Sequence, residues 1–150
     1  MDDANLFELA TDGPAVIVVG IDGSPTSYRA GAYAAGLARR QRARLVVAFI
    51  VTLPALAGMA PGGVGAIEET VDQIADEVRS QVDAGAAYVG MKVEFIAKHG
   101  DPFHELSRVA DEVRADAVVV GASTHAGHRL VGSLAVRLVR AGKWPVTVVP

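Results

Sequence analysis

Apolar positions along the chain fall into two kinds of run that take turns. Ala15-Val-Ile-Val-Val-Gly20, Leu45-Val-Val-Ala-Phe-Ile-Val51, the stretch from Asp116 to Gly121, and Pro145-Val-Thr-Val-Val149 are short and nearly unbroken. Such runs, rich in β-branched residues, predict strands buried on both faces. Val93, Phe95 and Ala97 point one way from alternate positions and predict a further strand. Between these runs the spacing changes to three and four. Ala30, Ala34, Leu37 and Ala38 form a small-residue stripe on a helix from Pro25 to Arg42. Ile67, Val71, Ile74 and Val78 mark an amphipathic helix over 66–86, and Phe103, Leu106, Val109, Ala110 and Val113 another. A last helix runs from Ser133 to about Ala141.

Helix starts are also readable. Ser24-Pro25 and Asp101-Pro102 each place a capping side chain before a proline whose missing N–H costs nothing in a first turn. The order β-α-β-α-β-α-β-α-β needs crossover connections, hence an α/β fold: an open, Rossmann-like, five-stranded parallel sheet with helices on both faces. Residues 1–14 read as an N-terminal tether and 15–150 as one domain. The stretch 54–65, rich in Gly, Ala and Pro, reads as a mobile segment that a lid would require.

Composition narrows the function classes. The chain of 150 residues is 51% hydrophobic and 21% charged, the profile of an ordinary globular domain. A net charge of −3 argues against a nucleic-acid partner. There is no cysteine, so thiolate catalysis and thiolate metal sites are excluded. The acidic start Met1-Asp2-Asp3 does not resemble a signal peptide, and no apolar run reaches membrane-spanning length, so a cytoplasmic location and no membrane partner are expected.

In open parallel sheets ligands sit beyond the C-terminal strand ends, where the strand order reverses. The residues expected there are Gly20 and Asp22 after the first strand, Ile50 and Val51 at the end of the second, Gly100 after the third, and Gly121 after the fourth. From Gly121 a loop runs through Thr124, Gly127 and Arg129 to Gly132, Ser133 and Leu134, and opens onto a helix. Glycines let successive amides turn toward an anion, and a helix N-terminus adds free N–H groups. The same pattern also fits an ordinary loop with Ser133 as helix cap. Asp22 is placed to accept from a ribose hydroxyl or hold Mg²⁺, and equally to bond its own turn. His125 and His128 have no third ligand at a recognised spacing, so no metal site is expected. His104 reads as a boundary residue, and the run Arg39 to Arg44 as cations complementing a helix C-terminus.

Other sites are missing from the sequence. There is no G-x-x-x-x-G-K-[ST] loop and no G-x-G-x-x-G fingerprint. Asp22 stands alone where a phosphoryl-accepting receiver module needs an acidic cluster, and the last strand ends without that module's lysine. No set of residues for side-chain catalysis converges on the strand ends.

The ordered set Val18-Val-Gly-Ile-Asp-Gly-Ser24, Gly100-Asp-Pro102, Ala115-Asp-Ala-Val-Val-Val-Gly121, Gly132-Ser133 and Pro145-Val-Thr-Val-Val149 resembles the universal stress protein family over residues 15–150. The resemblance implies a stress-linked role and a homodimer through the last strand, here the apolar edge of Trp144, Val146, Val148 and Val149. In one branch it implies ATP or another adenine nucleotide in the strand-end cleft, with Mg²⁺ on Asp22 where a metal accompanies the nucleotide. By resemblance Asp22 would face the ribose, Ile50 the adenine, and Gly132, Ser133 and Leu134 the phosphates. That branch carries G-x-x-G-x9-G-[ST]. Here Gly121 matches the first glycine and Gly132-Ser133 the closing pair. Thr124 stands at the second glycine, and ten residues rather than twelve separate Gly121 from Gly132. Gly127 is the candidate to take over the missing glycine's role. The alternative expectation is a stress protein that binds no nucleotide and acts as a homodimeric interaction module.

Overall fold

The computed structural model describes residues 13–52, 64–125 and 128–150, leaving out the side chains of 64, 124, 125 and 128–130. The tether through residue 12 and most of the candidate lid lie outside the described residues. The elements in chain order are β1 (Val16–Ile21), α1 (Pro25–Gln41), β2 (Arg44–Val51), α2 (Val64–Tyr88), β3 (Val93–His99), α3 (Pro102–Glu112), β4 (Ala117–Gly121), β5 (Ser123–His125), β6 (His128–Leu130), α4 (Ser133–Ala141) and β7 (Val146–Val149). Five strands form one sheet in the order β3-β2-β1-β4-β7, and every pairing in it is parallel.

The continuous apolar runs occupy the middle of that sheet because only there are both strand faces covered. Ile17, Val18, Val19, Val46, Val118 and Val119 are fully buried. Odd-numbered residues of β1, including Ile17 and Val19, pack under α1 and α2 on one face; Val18 packs under α3 and α4 on the other. The expected stripe of α1 lies against the sheet through Ala30, Ala34 and Ala38, with Leu37 at its border. Small side chains there let the helix axis come close to the strands. Asp116 ties two strand starts together: its Oδ2 accepts from the backbone N–H groups of Ala15 at 2.9 Å and Val16 at 2.8 Å.

Three expectations are corrected. The loop after β4 is not irregular throughout, because β5 and β6 pair antiparallel as a small hairpin, with Ser123 opposite Leu130 and Thr124 opposite Arg129. The middle helix extends to Tyr88 and stops before Gly90, whose φ of +68° suits glycine. In the arginine run, Arg39 and Arg40 lie in the last turn of α1 and Arg42 caps it, but Arg44 opens β2 and pairs with Glu94 of β3.

Candidate functional site

The strand order reverses beside β1, since β2 lies on one side of it and β4 on the other. A cleft of about 300 Å³ opens there, beyond the C-terminal ends of β1 and β4. Its lining includes Gly20, Asp22, Ile50, Gly121, Gly132, Ser133 and Leu134, seven of the residues expected from the sequence. Val51 and Gly100 do not line it: Val51 points into the core on the opposite sheet face, and Gly100 turns the chain at a φ of +141°. Gly127 lies outside the described residues, and Thr124 and Arg129 are placed only by their backbone pairing across the hairpin.

Local chemistry explains how the lining is held. After β1 the chain turns on Asp22, whose Oδ1 accepts from the N–H of Ser24 at 2.8 Å. The turn role weighed for Asp22 is therefore real, and it leaves Oδ2 without a hydrogen bond among the described residues. Ser24 caps α1: its Oγ accepts from the N–H of Ser27 at 3.3 Å, and the Ser27 hydroxyl donates to Ser24 O at 2.8 Å. Thr26 and Ser27 are each only 4% exposed and line the cleft wall.

The glycines have packing reasons of their own. A Cβ on Gly121 would stand 2.6 Å from the carbonyl carbon and oxygen of Thr26, so β4 and the start of α1 approach as only glycine permits. A Cβ on Gly132 would stand 2.8 Å from Cβ of Ser123, on β5. The hairpin thus leans on the start of α4, which sequence patterning did not anticipate.

That start is the chemically open part of the cleft. Gly132, not Ser133, is the N-cap of α4, and no side chain caps the helix. Ser133 is the first helical residue and is exposed to the cleft. The first-turn amides of α4 therefore carry the partial positive charge of a helix start with no internal acceptor from the cap. Among the described residues no Lys or Arg lines the cleft, and Asp22 is its one carboxylate.

Below this site, α3 and α4 are clamped together. Asp101 caps α3 by accepting from His104 N–H at 3.0 Å, and its other oxygen accepts from Arg137 of α4 at 3.0 Å. The guanidinium of Arg137 also lies 4.4 Å from the centre of the Phe103 ring. The hydrogen bond from Arg137, then that from His104 N–H, holds the Asp101 carboxyl below its usual range. His104 is exposed at the helix border, with Nδ1 3.2 Å from Asp101 Oδ2.

Sequence reasoning missed Thr26, Ser27, Thr52, Pro102, Leu106 and Ser123 as cleft residues. Thr26 and Ser27 carried a usable signal, since they follow a capped proline start directly after a strand end. Ser123 carried none, because its position depends on the hairpin. Among the described residues no group of three or more potential metal ligands occurs, and no helix is long and apolar enough to cross a membrane.

The profile of the universal stress protein family matches residues 15–150. The chain belongs to the universal stress protein family. It is 29% identical over 136 residues to a universal stress protein of Methanocaldococcus jannaschii, covering 89% of this chain and 80% of that one. It is 29% identical over 147 residues to the universal stress protein YxiE of Bacillus subtilis, covering 89% and 97%. Among solved structures, a universal stress protein in complex with cAMP is 30% identical, with a TM-score of 0.64 and coverage of 92% and 98%. This universal stress protein shares its parallel α/β architecture with that solved structure.

Proposed function

We propose that this universal stress protein binds an adenine nucleotide in the strand-end cleft, with a phosphate on the first turn of α4. The uncapped start at Gly132 and Ser133 is the observation that carries this reading. Two other helices with described N-caps, α1 and α3, satisfy their first turns with Ser24 and Asp101. In this reading Asp22 Oδ2 accepts from a ribose hydroxyl and Ile50 and Leu134 flank the base; all three line the cleft. The relative solved with cAMP supports the ligand class. Among the described residues the lining offers a phosphate the first-turn amides of α4 and the hydroxyls of Thr26, Ser27 and Ser133. The test is mass spectrometry of small molecules released on denaturing freshly purified protein, followed by calorimetric titration with AMP, cAMP, ADP and ATP. Heat with AMP or cAMP at micromolar concentration is expected; no release and no heat with any of the four would overturn the reading.

The homodimer is a second reading, and the two sheet edges favour it. β3 ends one side of the sheet with Glu94 and Lys98 in the strand, whereas β7 ends the other with Val146-Thr-Val-Val149 and no charge. Val146, Val148 and Trp144 pack on one core and Val149 on the other, which leaves the backbone edge of β7 open. An uncharged open edge is the kind that pairs with a second copy. Light scattering at micromolar concentration should give twice the chain mass, and the mass of one chain would refute it.

A further inference from the structure

A larger cavity, of about 510 Å³, lies on the α1–α2 face of the sheet, away from the uncapped start of α4. Its floor is Leu45 and Val47 of β2 and Val93 of β3. One wall is α1, through Tyr28, Gly31, Ala35 and Gly36; the other is the last turns of α2, through Val82, Gly85 and Ala86. Two helices thus roof the same sheet face and leave a slot between them. At its rim Tyr88 is 92% exposed and Val89 is 37% exposed. Arg39 is the one charged side chain on the lining among the described residues, and it forms no ion pair there.

The glycines of this slot differ from those of the nucleotide cleft. A Cβ on Gly36 or Gly85 would meet nothing within 4 Å, and one on Gly31 would meet only Ile21 Cδ1, at an ordinary 3.4 Å. None of the three has a positive φ. Neither close packing nor backbone conformation therefore requires glycine, and glycine within a helix costs stability relative to alanine. What these residues accomplish is an open slot.

We propose that the slot binds a small amphiphile, an apolar chain with an anionic head group on Arg39. The volume falls in the range of ligand pockets, and the lining is apolar with few polar groups, Tyr28, Gln81 and Arg39. With no carboxylate on the lining among the described residues, Arg39 selects an anion over a cation. From Tyr28 to Arg39 the wall of α1 runs roughly 16 Å, the reach of an extended chain of about ten carbons. This inference is independent of the nucleotide reading.

The test is calorimetric titration of the full chain with decanoate, decanol and decylammonium. Decanoate should bind with a submillimolar Kd, and decylammonium at least tenfold more weakly. Gly36→Leu, placed in open space, should weaken decanoate at least tenfold while raising Tm by roughly 2–4 °C, so that the loss is not unfolding. Ala35→Leu is the second slot-filling variant. Arg39→Gln should bring decanoate down to the affinity of decanol. Undetectable decanoate binding, equal affinity for the two ions, or unchanged binding in folded Gly36→Leu and Ala35→Leu proteins would each overturn the proposal.

Discussion

Helices α1 and α3 begin alike and α4 begins differently. Ser24-Pro25 and Asp101-Pro102 fold a side chain back onto their own first turns, so those ends are closed by residues of the same segment. Gly132-Ser133 brings no side chain back, and its amides face a polar cleft at the reversal of strand order. A cap can be as local as three residues, and among the described helix starts that device is used twice. Its absence at the third start marks the place where an acceptor from outside the helix would do the same job.

Five substitutions at four positions break or sharpen this contrast, taken from the largest effect down. Gly121→Val drives a side chain into the backbone of Thr26 at the closed start of α1, and backbone cannot yield as a side-chain tip does. Roughly 3 kcal/mol of stability should be lost in urea denaturation, by overpacking. Asp101→Ala removes both the cap of α3 and the partner of Arg137, and should lose about 1–2 kcal/mol. The same carboxylate gives a pH signature. Its folded pKa is lowered by Arg137 and the His104 N–H, so its contribution is present above the unfolded carboxylate value and fades as pH falls through the lowered folded value. Asp101→Asn should flatten that acid limb in a comparison of unfolding midpoints. Ser24→Ala opens α1 and should lose about 1 kcal/mol. Ser133→Glu sits at the open start and acts oppositely, since a carboxylate there complements the helix dipole. It should leave stability unchanged or raise it by about 0.3–1 kcal/mol.

Much of this was legible in the chain because it is decided locally. The continuous β-branched runs announced central strands, and the two Ser/Asp-Pro pairs announced their helix starts. Alternating strands and helices then left the C-terminal strand ends as the place for a ligand, and seven expected residues do line that cleft. The hairpin was illegible for a physical reason: β5 and β6 are three residues each and carry polar side chains, so no apolar alternation reports them. The packing role of Gly121 depends on Thr26, which is distant in sequence, and that of Gly132 on Ser123, which only the unforeseen hairpin brings to it. The slot between α1 and α2 was illegible too. Its glycines are visible one by one, but the gap they face exists only once two helices stand apart on one sheet face.

The most direct measurement titrates AMP and cAMP into the wild-type protein and Ser133→Glu, side by side in the calorimeter. The account predicts micromolar binding in the first and at least a tenfold weaker Kd in the second, with the Tm of Ser133→Glu equal or higher. Equal affinity in the two proteins would contradict it, because the phosphate would then not rest on the open start of α4.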